Sequence, residues 1–190
     1  ETDLADKNKT AGSRVLVLNP EHDLVIKSIA VSKTIVGQGL FMTINVTALN
    51  IGNFREVFDL TVYANNTPIA PIATIGVEIE SGFSTTTTFA WNSTNFPYGN
   101  YTIRAYASPP LNDQLTYSSV AVSIVGDIYG PNRWPDGKVD IRDLAAIAKA
   151  YGAAYPDSRY NPNCDIIYDG KINIDDLLVA VVNYGKTLRG

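Results

Sequence analysis

One acidic phrase occurs twice near the end of the chain, and its residue types are those that bind calcium. The first copy, from Asp136 to Leu144, reads Asp-Gly-Lys-Val-Asp-Ile-Arg-Asp-Leu, and the second, from Asp169 to Leu177, reads Asp-Gly-Lys-Ile-Asn-Ile-Asp-Asp-Leu. Oxygen-bearing side chains around a glycine, at the start of a helix, are typical of loops that wrap a calcium ion. A single Asp-Gly-Lys is more often an ordinary turn, so the repetition in register is what predicts a metal.

The second copy fits a twelve-residue calcium loop without gaps. In such a loop the ligands come from positions 1, 3, 5, 7, 9 and 12, the seventh through its carbonyl, and a glycine occupies position 6. Ile167 falls at position 3 and offers no side-chain oxygen, so we expect this site to be the weaker one. The residues that supply the other ligands are Asp165, Asp169, Lys171 through its carbonyl, Asn173 and Asp176.

The first copy leaves the start of its loop open between two residues. Position 1 falls either to Asp127, which requires five extra residues before Asp136, or to Asn132, which requires none. We favour Asp127 because it is a carboxylate and follows a glycine. Four carboxylates here against three in the second loop predict tighter calcium binding at the first. The remaining ligands are Asp136, Lys138 through its carbonyl, Asp140 and Asp143.

Each acidic phrase leads into apolar residues at helical spacing and then into a Tyr-Gly pair. Asp140 and Asn173 stand where a helix N-cap belongs, and Gly152 and Gly185 stand where the chain leaves a helix. The pattern therefore predicts one helix after each loop. The apolar residues at helical spacing are Ile141, Leu144, Ala148 and Tyr151 in the first helix, and Ile174, Leu177, Val181 and Tyr184 in the second.

The stretch from Asp23 to Val125 alternates apolar and polar residues with the period of β-strands. Turn-forming Gly, Asn and Pro residues separate the segments, and no helical pattern lies between them, so we predict an antiparallel β-sandwich and a mainly β chain. Trp91 falls on the apolar phase and is expected in the core. Almost no linker separates Ile124 from Asp127, which predicts a fixed orientation between the sandwich (21–125) and the calcium-binding module (126–190).

The first twenty residues form a separate tail (1–20). Its apolar run Val15, Leu16, Val17 and Leu18 suits a strand that is buried on both sides. This strand belongs either to the chain's own sandwich or to the sheet of a neighbouring molecule, which it would complete by strand addition. The first residue is Glu rather than Met, as a processed chain would show.

Composition narrows the function further. The net charge of −4 leaves no basic stripe for nucleic acid, and no apolar run approaches the ~20 residues of a membrane span. The lone Cys164 is expected to be a small buried side chain, with an intermolecular bridge as the alternative, and the lone His22 forms no recognisable catalytic set. Calcium loops together with sequons favour a place outside the cell. The candidate glycosylation sites are Asn8, Asn45, Asn65, Asn92 and Asn100.

The motifs resemble two known families. Residues 127–190 resemble a type I dockerin, whose duplicated loop-helix units each bind calcium. The motif of the first loop is similar to that of dockerin-like tails of archaeal surface proteins. Residues 22–126 resemble a CARDB domain, an adhesion-related immunoglobulin-like sandwich. The residues that carry the second resemblance are His22-Asp23-Leu24, Gly37-Gln38-Gly39, Ile44-Asn45-Val46-Thr47, Asn50-Ile51-Gly52 and Gly99-Asn100-Tyr101-Thr102. The two resemblances imply an immunoglobulin-like fold, a small α-helical module and two Ca²⁺ sites.

One departure from the dockerin pattern bears on the partner. Dockerins usually carry small hydroxyl residues just before the twelfth ligand, where they contact a cohesin, and here the pairs are Ile141-Arg142 and Ile174-Asp175. We therefore expect a non-catalytic extracellular structural protein that assembles with copies of itself, or with another surface protein, into a layer or filament. The alternatives are an adaptor that docks onto a cohesin-type scaffold and a carbohydrate-binding surface module.

Overall fold

A computed structural model describes residues 22–65, 71–108 and 113–188, apart from the side chains of residues 113–118 and 133. The tail, with Asn8 and the segment Val15–Leu18, lies outside the described residues. The strands are β1 Leu24–Val31, β2 Ile35–Gly37, β3 Phe41–Asn50, β4 Glu56–Ala64, β5 Ala73–Ile79, β6 Ser84–Asn92, β7 Gly99–Ser108 and β8 Asp113–Ser123. A 3-10 turn at Pro131–Arg133 precedes the helices α1 Ile141–Ala150 and α2 Ile174–Val182.

The eight strands form two sheets that face each other across one apolar core. One sheet has the order β1-β3-β6 and the other has the order β2-β8-β7-β4-β5. All neighbours are antiparallel except β2, which pairs with β8 in parallel. In strand β3, every second residue faces the core, as the alternation of apolar and polar residues predicts. These buried residues are Met42, Ile44, Val46 and Ala48. The predicted mainly β sandwich is confirmed.

A hydrogen bond at the start of β7 is typical of immunoglobulin-like sandwiches. The Tyr101 hydroxyl donates to the main-chain carbonyl of Pro97, four residues upstream, at 2.7 Å. The Tyr101 ring also makes edge contacts with Trp91 and Phe96, with ring centroids 5.9 and 5.6 Å away. Trp91 is buried, as its apolar phase predicted.

A second apolar core joins the helices to the edge of the larger sheet. Ile35 of β2 and Ala121 of β8 pack in one cluster with Ile128, Ile147 and Ile166 of the following segment. Contacts of this kind hold the sandwich and the helices in one orientation, as the short connection suggested. Cys164 lies in the same cluster as a free, buried thiol, and burial raises its pKa to about 12.

Both predicted helices are present, and of the apolar residues at helical spacing only Leu144 and Leu177 pack against the core. Ile141 is 64% exposed and Ile174 is 58% exposed, whereas Ile147 of α1 is fully buried. The reason lies in the caps, because Asp143 and Asp176 in the first turns point inward and bind the amides of their own N-cap residues. The apolar residues at helical spacing that are exposed are Ile141, Ala148, Tyr151, Ile174, Val181 and Tyr184.

Candidate metal centres

The second acidic loop is closed by two buried aspartates that accept main-chain hydrogen bonds. The Asp165 carboxylate accepts from the N–H of Asp169 at 3.0 Å and of Gly170 at 2.9 Å. The Asp176 carboxylate accepts from the N–H of Ile167 at 3.1 Å and of Asn173 at 2.9 Å. Positions 1 and 12 of the loop therefore tie its two halves together and fix the turn at Gly170, where φ is +83°.

The first loop repeats this hydrogen-bond pattern with Asp127 in position 1. The Asp127 carboxylate accepts from the N–H of Asp136 at 3.2 Å and of Gly137 at 2.9 Å. Asp143 in position 12 accepts from the N–H of Asp140 at 2.8 Å and of Ile128 at 2.9 Å. The alternative start, Asn132, is exposed in the 3-10 turn. Of the two candidates, the structure brings Asp127 and not Asn132 to the loop.

The five extra residues of the first loop are folded tightly against it rather than left loose. A Cβ on Gly130 would lie 2.4 Å from the Trp134 carbonyl oxygen and 2.7 Å from the Asp136 Cβ, so the backbone approach requires glycine here. The Trp134 indole N–H donates to the Asn100 side-chain oxygen of β7 at 2.6 Å. The spacing along the chain indicates the five extra residues, but no sequence pattern predicts that Gly130 must be a glycine.

Each loop is paired with the segment that follows the opposite helix. Val139 of the first loop accepts from the N–H of Gly185 at 2.9 Å and donates to the carbonyl of Lys186 at 3.0 Å, beyond α2. Ile172 of the second loop accepts from the N–H of Gly152 and donates to the carbonyl of Ala153, both at 2.8 Å, beyond α1. The duplicated sequence thus forms a duplicated structure in which each half supports the other.

One carboxylate oxygen of the first loop lacks the partner that a calcium ion would supply. The Asp136 Oδ1 atom, in position 5, is buried without a hydrogen-bond partner, and such an oxygen gains stability from a bound cation. Within the described ranges, however, no three His, Cys, Asp or Glu side chains converge closely enough to hold a metal ion. Asn173 and the carbonyls of Lys138 and Lys171 would have to complete the ligand sets, so the two calcium sites stay predictions.

Burial disfavours the charged form of the two inner aspartates of the first loop, Asp127 and Asp143. Burial, together with the nearby Asp143 and Asp136 carboxylates, raises the pKa of Asp127 to about 7, although the amides of Gly137 and Asp136 oppose this shift. Burial also raises the pKa of Asp143. Desolvated carboxylates of this kind are stabilised by either a proton or a metal cation.

A basic side chain that the sequence reasoning missed lies at the first loop. The Arg142 guanidinium donates from Nε to both Asp140 carboxylate oxygens at 3.1 Å and from a terminal nitrogen to Asp136. These hydrogen bonds lower the pKa of Asp140 to about 2. The sequence does contain a signal for these ion pairs, because Arg142 stands between the acidic ligand positions 9 and 12.

A second basic residue reaches the other loop from the sandwich. Lys33 precedes β2, is 4% exposed, and donates to the main-chain carbonyl of Asp165. Burial lowers the pKa of its ammonium group to about 8, while the carboxylates of Asp165 and Asp176 oppose that effect. No local motif could have identified Lys33, because 132 positions separate it from Asp165.

The candidate glycosylation sites differ in how much of the asparagine is available. Asn45, Asn92 and Asn100 are exposed. Asn65 is half-buried, has a φ of 68°, and its side-chain oxygen accepts from the Thr102 N–H at 2.9 Å. The side-chain oxygens of the first three also accept hydrogen bonds, from Thr88, Thr94 and Trp134, so the four sites differ in exposure and not in hydrogen bonding.

The lone histidine has a structural environment. His22 is hydrogen-bonded through Nδ1 to the buried carboxylate of Glu56 at 2.8 Å and stacks on Phe54 with centroids 5.2 Å apart.

Among the helices that the structure describes, none is long and apolar enough to cross a membrane.

No known family profile matches the chain, and no curated protein matches it. Among solved structures, it is similar to the CARDB domain of a Pyrococcus furiosus protein, solved in complex with di-metal ions, with a TM-score of 0.45 and 22% identity over 54% of this chain and 94% of that one. A domain from Methanosarcina acetivorans, named for a cell surface protein, gives a TM-score of 0.41 and 23% identity over 53% of this chain and 91% of that one. A β-glucosidase from Listeria innocua gives 0.41 and 20% identity over 55% of this chain but only 16% of that one.

Proposed function

We propose that this chain is a non-catalytic, calcium-binding structural protein of the cell surface. The observation that carries the proposal is the duplicated loop pattern, in which Asp127 and Asp165 start the loops and Asp143 and Asp176 end them. The unpartnered Asp136 Oδ1 atom supports a cation at the first loop. A bound Ca²⁺ supplies two positive charges that offset the carboxylates and hold the loop closed.

The proposed ligands are the residues that the loop positions assign. The first site uses Asp127, Asp136, the Lys138 carbonyl, Asp140 and Asp143, and the second uses Asp165, Asp169, the Lys171 carbonyl, Asn173 and Asp176. In this dockerin-like arrangement, calcium keeps the helices packed against the β2–β8 edge of the immunoglobulin-like sandwich, so that the molecule presents one rigid surface.

Isothermal titration with Ca²⁺ tests the two sites. We expect two binding events in the intact chain, and Asp127→Asn and Asp165→Asn should each remove or strongly weaken one of them. Asp59→Asn is the matched control, because Asp59 is exposed on β4 of the sandwich. A chain that binds no calcium at millimolar concentrations, or loses neither event in these variants, would contradict the proposal.

Assembly with copies of the same chain is the second part of the proposal. Strands β5 and β6 lie at sheet edges, and a sheet edge can accept an added strand. The apolar segment Val15–Leu18 would supply that strand to a neighbouring molecule. Electron microscopy with calcium should show filaments or layers, and deletion of residues 1–19 should abolish them. Unchanged assembly after the deletion would exclude strand exchange.

A cohesin adaptor is the competing function, and one observation favours it. Helix α2 leaves Ile174, Leu178 and Val182 exposed, and an exposed apolar face of this kind is typical of a protein-docking surface. The pairs Ile141-Arg142 and Ile174-Asp175 argue against cohesin binding. A pull-down with type I cohesins in calcium distinguishes the two, and we expect no binding.

A further inference from the structure

Lys33 is a buried cation that the sandwich places against the second acidic loop. Only 4% of the residue is exposed, and its ammonium group donates to the main-chain carbonyl of Asp165, which is position 1 of the loop. The same nitrogen lies 5.0 Å from the centre of the Tyr168 ring. Tyr168 is itself part of the loop, so the loop surrounds the ammonium group from two sides.

Neighbouring contacts keep Lys33 in this place. The N–H groups of Thr34 and Ile35 both donate to the Asn163 side-chain oxygen at 3.0 Å. The hydroxyls of Thr43 and Tyr168 are hydrogen-bonded at 2.8 Å. The ammonium group is therefore held between two anchored segments, and it cannot turn to solvent without breaking the contact between sandwich and loop.

We propose that Lys33 lowers the calcium affinity of the second loop and makes that affinity depend on the sandwich. This inference rests on the proposed calcium-binding function. Asp165, Asp169 and Asp176 bring three negative charges to the loop, and the fixed ammonium group offsets one of them. A calcium ion entering the loop would be repelled by that nearby positive charge, and the burial of Lys33 limits how far water screens the repulsion.

Among the residues that the structure describes, the basic side chains at the first loop are less constrained than Lys33. One of them, Arg142, belongs to the helix that follows the same loop, and its side chain is 41% exposed. Arg142 can therefore turn toward water when a cation enters, whereas Lys33 cannot. The sandwich should therefore change the calcium affinity of the second loop through the charge of Lys33, whereas the basic partner of the first loop comes from residues 126–190.

The direction of the change separates this role from a merely structural one. As a hydrogen-bond donor, Lys33 supports the loop, and its loss for that reason alone would weaken calcium binding. As a fixed charge it opposes calcium, and its removal would tighten binding. We expect the charge to dominate, because one hydrogen bond contributes little net free energy compared with repulsion between a divalent and a monovalent cation in a buried place.

Calcium titrations of the full chain provide the test. We expect Lys33→Met and Lys33→Gln to tighten the second site on the order of tenfold and to leave the first site unchanged. Lys33→Arg keeps the positive charge and should not tighten the second site. Lys27→Met is the matched control, because Lys27 is an exposed lysine on β1, and it should change neither site. Asp169→Asn identifies which binding event belongs to the second loop.

Each outcome decides the matter. Weaker or unchanged binding at the second site in both neutral variants, with the far-ultraviolet circular dichroism of the unsubstituted chain, overturns the charge role of Lys33. If Lys33→Met does not fold, the comparison of Lys33→Gln with Lys33→Arg decides alone, since both retain a donor. If the unsubstituted chain binds no calcium, the proposed function itself fails. If that chain binds two ions and only the Lys33 effect is missing, the proposed function survives and this inference does not.

Discussion

Single side chains in this protein acquire their roles from where the fold places them, not from their type. Asp127 and Asp157 are both aspartates, yet burial raises the pKa of Asp127 to about 7, while the Arg159 N–H groups lower that of the exposed Asp157. Tyr101 offers a similar case in the sandwich, where one hydroxyl fixes the corner before β7. The contribution of this hydrogen bond to the free energy of unfolding can be measured with a single substitution.

We expect Tyr101→Phe to lower the free energy of unfolding by about 1 kcal/mol, because the ring stays in the core while the hydrogen bond to the Pro97 carbonyl is lost. Tyr98→Phe is the control, since Tyr98 is exposed, and it should change stability by less than about 0.5 kcal/mol. Urea unfolding of both variants in calcium measures the difference. Equal midpoints for the two variants would show that the hydrogen bond from Tyr101 to the Pro97 carbonyl does not stabilise this sandwich.

At the scale of elements, the caps decide how the helices face the core. Asp143 and Asp176 point inward to bind main-chain amides, and this rotation buries Ile147 while it exposes Ile141 and Ile174. The bulge before Asp136 is similarly specified by backbone packing, because Gly130 leaves no room for a Cβ.

The helix orientation predicts a strong asymmetry between two isoleucines of α1. Ile147→Ala should destabilise the helical module by about 2–5 kcal/mol, because it leaves a cavity in the core. Ile141→Ala should cost less than about 0.5 kcal/mol, because the side chain is mostly in solvent. Thermal unfolding in calcium checks both. Similar losses of stability in the two variants would contradict the burial of Ile147 and the exposure of Ile141.

Gly130 provides a test of the bulged first loop. We expect Gly130→Ala to destabilise the module by about 1–3 kcal/mol, since a methyl group there collides with backbone, and to weaken only the first calcium event. Gly76→Ala is the control, because its nearest new contact would be the Asp59 carboxylate at 3.9 Å. Calcium titration with tryptophan fluorescence, to which Trp134 in the bulge contributes, follows both. An unaffected first site in Gly130→Ala would contradict the assigned loop start.

On the scale of the whole molecule, the sandwich and the helices share residues at their boundary. Ile35 and Ala121 belong to strands, yet they pack with Ile128 and Ile147 of the helical segment. Unfolding of the acidic loops should therefore destabilise the edge strand β2, while β3, at the centre of the other sheet, should remain folded.

Chelation of calcium tests this coupling. We expect a chelator to lower the melting temperature of residues 127–190 and to raise amide hydrogen exchange there and in β2, while β3 stays protected. Adding calcium back should reverse both effects, and magnesium serves as the control ion. Equal melting temperatures in calcium and in chelator would contradict a structural role for the metal.

The amino-acid sequence by itself determined the features that depend on spacing along the chain. The alternation around Ile44 predicted the strands, and the N-cap positions of Asp140 and Asn173 predicted the helices, because local geometry imposes these periods. The two acidic loops were recognised for the same reason. These features account for most of the sandwich, both helices and the positions proposed as ligands.

Only the tertiary structure decided which distant groups complete those loops. It placed Asp127 rather than Asn132 opposite Asp136, turned Ile147 inward, and brought Lys33 to the Asp165 carbonyl across 132 positions of sequence. Spacing along the chain cannot specify such contacts, because they depend on how two separately formed units pack. The doubled acidic phrase therefore predicts two calcium sites, and the packing of the sandwich against the helices determines which side chains surround each loop.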